Sequence, residues 1–278
     1  MPKRFVLTAS AAAFYATVIW LAALVVVFSQ DASRSYALMA QALSPEEQTN
    51  AAIDEALETL SLGAYEGASE RRARLVALNK RVFVHWQVAS ILAVATALVL
   101  LAIGALAAIG EHDRAHRVNR TLLWLCLVCL VIGVSAPMLS IVAQREVPLL
   151  GRVILRYESK GILTTVMSLY AHGHLFIAGA LGLFSLVMPS AKLALGFVAV
   201  SRFERPRRTA LMAVHLIGRW SMTDVFVVAI LLAVLAGQAG DSTDAWLGHG
   251  LWFFAAYAVL STWLGRRLNA TYASSNHD

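Results

Sequence analysis

Apolar residues in this chain come in long unbroken runs, not in the alternating or every-third-residue pattern of a half-solvated fold. Six runs approach or exceed the length needed to cross a bilayer, at about residues 6–29, 83–109, 121–143, 171–200, 221–238 and 249–265. A spanning helix needs roughly 20 apolar residues to cover about 30 Å of hydrocarbon. Barrel strands would alternate in polarity, whereas a helix satisfies its own backbone in lipid, so helices are predicted. Pro189 interrupts the fourth run. The first is expected to be an uncleaved anchor. Lys3 and Arg4 precede it, but the run is too long for a signal-peptide core and no clean small-x-small site precedes Asp31.

Two stretches between the runs carry a different pattern. Residues 30–82 form an external segment. There Ser44-Pro45-Glu46-Glu47 reads as a helix start, with Ser44 as cap, Pro45 in the first turn and Glu47 closing a capping box. Ile53, Leu57 and Leu60 follow at helical spacing, and Gly63 and Gly67 punctuate. From Ser69 to Gln87 the pattern is helical and runs toward the second span. The other stretch has two β-rich runs, 152–157 and 162–166, around a turn that ends in Gly161, which predicts a small external hairpin. The expected fold is therefore an all-α integral membrane protein with six spans, a helical external segment and one β-hairpin. It divides into an N-terminal transmembrane hairpin, residues 1–115, and a four-span module, residues 116–278.

Composition agrees. Of 278 residues, 59% are hydrophobic and 14% charged, too little polar surface for a water-soluble enzyme. The net charge of +6 is not a nucleic-acid footprint, because the basic residues collect in short loops. Lys3 and Arg4, Arg114–Arg120, Arg202–Arg219 and Arg266–Arg267 all fall on one side of six spans, which places both termini in the cytoplasm. Arg145, Arg152, Arg156 and Lys160 fall on the other side. Trp220, Trp246, Trp252 and Trp263 sit near span ends, where amphipathic rings settle.

Polar groups inside the runs are the candidate chemistry. Ser185, Pro189 and Lys192 lie in the fourth run. Proline has no N–H, so the carbonyl at 185 loses its helical donor. A charge at the depth of Lys192 costs roughly 3 kcal/mol on insertion scales, less if the side chain snorkels. Asp224 opens the fifth span beside Ser221, and Ser261 and Thr262 lie at similar depth in the sixth. These groups are placed to meet in one leaflet. Two readings fit the residues: Lys192 and Asp224 pair or share a wet cavity, or Lys192 snorkels and Asp224 is a helix-start residue favoured by the dipole. Cys126 and Cys129 form a C-x-x-C within an apolar helix, where packing is the simpler role than redox or zinc chemistry. His85, His172, His174, His215 and His249 are scattered rather than facing at matched depth, as a membrane haem site requires. No cofactor is called for.

Three stretches resemble the paraquat-inducible protein A family. They are Leu183-Phe184-Ser185-Leu186-Val187-Met188-Pro189-Ser190-Ala191-Lys192-Leu193, then Gly218-Arg219-Trp220-Ser221-Met222-Thr223-Asp224-Val225-Phe226, and Gly250-Leu251-Trp252-Phe253-Phe254 through Leu260-Ser261-Thr262. Pro137 late in the third run also suits the family, and the resemblance covers about residues 121–268. It implies a four-span module of the bacterial inner membrane that loads lipids into, or receives them from, a conduit of MCE-domain proteins. By matching position, Lys192, Asp224, Ser221, Ser261 and Thr262 would be its functional polar set. Family members often carry two modules and zinc ribbons. This chain has one module and no ribbon cysteines, so a homo-oligomer or a different partner is a further expectation. The rival readings are a sensor or scaffold built on the external helices, and a haem or quinone oxidoreductase.

Overall fold

A computed structural model describes residues 2–60, 67–109, 115–147, 151–200 and 243–273. It is mostly helical. Helix α1 (Pro2–Ala42), α2 (Pro45–Leu60) and α3 (Gly67–Ile109) form the N-terminal part. Neither glycine nor proline occurs between Gln30 and Leu43, so nothing ends α1 where the first apolar run ends, and the helix continues to the Ser44-Pro45 break. The helix expected from Ser69 does run unbroken into the second span. α1 and α3 pack antiparallel, with Phe28 edge-on to His85 at 6.0 Å. Arg71 of α3 fastens α2 through Glu47 at 3.1 Å and Asp54 at 2.8 Å.

Helix α4 (Ala115–Ser135) stops short of the predicted limit at residue 143. Pro137 cannot donate and disfavours helix at the residue before it, so the chain turns into strand β1 (Leu139–Val147). β1 pairs antiparallel with β2 (Gly151–Lys160), from Leu139 opposite Lys160 to Val147 opposite Gly151. The predicted hairpin is thus corrected: the run 152–157 is a strand, but its partner is β1, and 162–166 opens helix α5 (Ile162–Ala171). The cause is local. Thr164 Oγ1 accepts from the Gly161 N–H at 2.9 Å, Thr165 Oγ1 donates to the Gly161 carbonyl at 2.7 Å, and Ile162 is buried in the main core. Capping and burial outweigh the β-preference of branched residues. A third strand, β3 (Thr243–Leu247), lies on the other edge of β1 in the order β2-β1-β3.

Gly173, at φ +81°, makes the tight turn from α5 to α6 (Leu175–Gly182). A π-helical turn, Leu183–Val187, then leads into α7 (Met188–Ala199). The last helix is α8 (His249–Ala273). α4 is the hub and packs on α1, α3, α5, α7 and α8. It comes close to α8 at Gly133, where an added Cβ would lie 2.8 Å from the Phe254 nitrogen. Backbone bonds from Gly248 to the Met138 carbonyl (2.7 Å) and from Gly250 to that of Pro137 (3.0 Å) tie the start of α8 to the end of α4.

The sheet also receives the end of α1. Tyr36 lies between Tyr157, tilted at 4.7 Å, and Trp246, edge-on at 5.3 Å, over a small core of Ala40, Val142 and Ile154. Among the described residues, four helices are long and apolar enough to cross a membrane, within Ala16–Ala42, Glu70–Ile103, Val118–Ser135 and Leu175–Ala199. They correspond to the first four runs. α8 contains the sixth, without being one of those four, and the fifth, at 221–238, lies outside the described residues.

Candidate functional site

The break in the fourth run is a π turn immediately before proline. The Met188 N–H donates five residues back, to the Leu183 carbonyl, and Pro189 sits in the first turn of α7. A widened turn gives the pyrrolidine ring room that a regular helix would deny it. Ser185, within the π turn, is 2% exposed.

Below the break, two contacts join α7 to α8. Tyr257 Oη donates to the Pro189 carbonyl at 3.2 Å, and Lys192 Nζ donates to Ser261 Oγ at 3.2 Å. The partners are three residues apart on α7 and four apart on α8, so each pair shares one helical face. Lys192 is 6% exposed, Ser261 3% and Tyr257 2%. The Ser261 hydroxyl accepts from the ammonium while donating to the Ala258 carbonyl at 3.2 Å, which uses both its faces. α4 packs on both α7 and α8, with Leu123 against Gly196 one turn from Lys192, so the amine sits where three helices meet.

The structure brings Lys192 and Ser261 together, with the amine reaching along the bundle to the hydroxyl. Thr262 is turned back to its own helix, donating to the Ala258 carbonyl at 2.8 Å. Ser221 and Asp224, with the motif residues Gly218, Arg219, Trp220 and Met222, lie outside the described residues. Two participants were given no role in the sequence reading. Tyr257 precedes Ser261 by one turn on a buried stripe, and a tyrosine hydroxyl buried in a span needs an acceptor. His249 was read only as a scattered interface residue. It links α8 to the N-terminal hairpin: Ser90 of α3 lies 3.1 Å from Nε2 and Ser29 of α1 3.4 Å from Nδ1. Ser90 already donates to the Trp86 carbonyl, so it accepts the Nε2 proton, and Ser29 donates to Nδ1.

Cys126 and Cys129 are both free and buried in α4. His172 and His174 flank the exposed α5–α6 turn. Among the described residues no three His, Cys, Asp or Glu side chains gather as a metal site would require. Beside α4, a groove of about 1000 Å³ opens between α3 and α8, lined by alanines, leucines and Trp252, with Ser90 and His249 among its few polar groups.

Long apolar helices, a proline-broken span with a buried amine and a small sheet tying the helix ends together define a membrane protein with polar machinery inside its bundle. The family model described as PqiA, Paraquat-inducible protein A, matches residues 121–273, just over half of the chain, and the protein belongs to that family. No curated protein and no solved structure matches the chain.

Proposed function

We propose that this protein is a multi-pass component of the bacterial inner membrane that handles lipids for an envelope transport system, with an MCE-domain protein as its partner. It performs no catalysis of its own. Both termini face the cytoplasm, six helices cross the bilayer, and the sheet faces the periplasm, where a partner would meet it. The observation that carries the reading is the buried Lys192–Ser261 contact beneath the Pro189 break. An ionisable group held inside a bundle is costly, and such groups mark transport pathways. A discontinuous helix at membrane depth is the usual frame for a transported polar group. Lys192 would hold a lipid headgroup, Ser261 would keep the amine in place between cargoes, and Asp224 and Ser221 would complete the set.

The test is Lys192→Met and Asp224→Asn in cells that depend on the protein for envelope integrity. Either variant should accumulate in the membrane at normal level yet lose lipid transfer and detergent resistance. Normal resistance in both sinks the reading and leaves a membrane scaffold.

A further inference from the structure

Asn119 of α4 is fully buried, and neither Nδ2 nor Oδ1 of its amide has a partner. Such a group carries a desolvation cost that a polar partner must offset, so an orphaned amide in a bundle points to a bound polar molecule.

Its position shows which one. Asn119, Cys126 and Gly133 recur every seven residues, and such positions drift only about 20° per step around a helix. Gly133 abuts Phe254, so this stripe faces α8. α4 and α8 run antiparallel from that contact, which sets Cys126 level with Ser261 and Asn119 level with Leu268. On α7, Gly196 meets Leu123: a Cβ there would lie 2.6 Å from Leu123 Cδ2. Lys192 is one turn from Gly196 and bonds Ser261, which is level with Cys126. Three levels of one seam follow. Asn119 lies at the end nearest the start of α4, Leu123 on Gly196 in the middle, and Lys192 with Ser261 deepest. The outer and inner levels are about 10 Å apart at ~1.5 Å per residue.

We propose that Asn119 binds water at the mouth of this seam, and that the seam is a hydrated passage from the α4 N-terminal side of the membrane to the Lys192–Ser261 pair, constricted by Leu123 seated on Gly196. The purpose of the passage rests on the lipid-handling reading. It gives the amine of Lys192 an aqueous contact on one side only, and water reaching a buried ammonium lowers its cost. Leu123 is the constriction, because its isobutyl group is seated in the notch that Gly196 leaves.

Cys126 is a native reporter at the inner level. A thiol reacts as thiolate, which forms only where water reaches it. The full-length protein carrying Cys129→Ala is held in membrane vesicles of both orientations and treated with a positively charged, membrane-impermeant methanethiosulfonate. Reagent on the α4 N-terminal side should modify Cys126. Asn119→Leu should slow that modification about tenfold or more, whereas Asn119→Ser, which keeps a water ligand, should stay within about threefold. Leu123→Ala should accelerate it, and carries the test alone if Asn119→Leu does not reach the membrane. The proposal is overturned if the charged reagent leaves Cys126 unmodified while lipophilic N-ethylmaleimide reacts, or if neither Asn119→Leu nor Leu123→Ala changes the rate. A higher thermal midpoint for Asn119→Leu with an unchanged rate would make the amide a dry packing defect, which also overturns it. Lipid transfer plays no part in this readout, so a failed transport test leaves the passage standing, and the reverse.

Discussion

Lys192 and Ser261 differ in what their removal leaves behind. Replacing Ser261 by alanine strands a buried ammonium without that acceptor, while replacing Lys192 by methionine removes the charge and keeps the stem volume. The first should therefore destabilise more, by about 1–2 kcal/mol, and the second should be near neutral or stabilising. Unfolding of purified protein by SDS titration measures both, and the reverse order would mean that the amine has a structural role. Tyr257→Phe removes one hydroxyl bond to a backbone carbonyl and should cost only about 0.6 kcal/mol, the typical worth of a side-chain bond inside a bundle. At this scale the candidate site was partly legible. Lys192 and Ser261 stand out as polar residues in apolar runs, and a snorkelling lysine in the same leaflet made their meeting an expectation. Tyr257 did not stand out, because an aromatic inside an apolar run reads as packing. Asn119 did not either, because at the edge of an apolar run it reads as solvated.

Helices that approach as closely as α4 and α8 depend on what the contact residue lacks. At Gly133 a methyl group would enter the Phe254 backbone, which cannot swing aside as a side-chain tip can. Gly133→Ala should cost about 1–3 kcal/mol, as overpacking does. Gly265→Ala on α8, where nothing lies within 4 Å, should be neutral or stabilising by up to about 1 kcal/mol. Thermal midpoints in one detergent compare the two, and equal shifts would mean that α4 and α8 do not meet at Gly133. Elements were legible where one signal acts alone. α3 follows from an uninterrupted helical pattern, whereas the apolar run carried the end of α4 to residue 143 and missed the stop that Pro137 imposes through Ala136. The hairpin failed because two signals compete at 162–166. Branched residues favour a strand, but the hydroxyls of Thr164 and Thr165 close a helix start on Gly161. Periodicity cannot see a capping bond, and β1 was hidden inside what reads as the tail of a span.

The whole molecule is held by contacts between segments far apart in the chain. β1 pairs with β3 across about a hundred residues, and α1 ends on the same sheet through Tyr36. No local pattern announces such pairings, which is why the first four apolar runs were more legible as helices than their joinery was. Within the bundle, His249 joins the family-matched helices to the N-terminal hairpin through Ser29 and Ser90. If that joint matters, the two parts should stay together after the chain is cut between them. A protease site placed within residues 110–114 supplies the cut, and the fragments should copurify in mild detergent. His249→Phe keeps the ring against Trp86, at 4.8 Å in the native protein, but removes both serine bonds. At about 0.6 kcal/mol each, their loss should weaken retention of the N-terminal fragment roughly sevenfold. Ser90→Ala alone should cost about half that free energy. Unchanged retention in His249→Phe would shift the attachment to the sheet, where Tyr36 lies between Tyr157 and Trp246. Tyr36→Ala would then be the variant that releases the fragment. The two outcomes separate a hairpin anchored within the bilayer from one anchored at its surface.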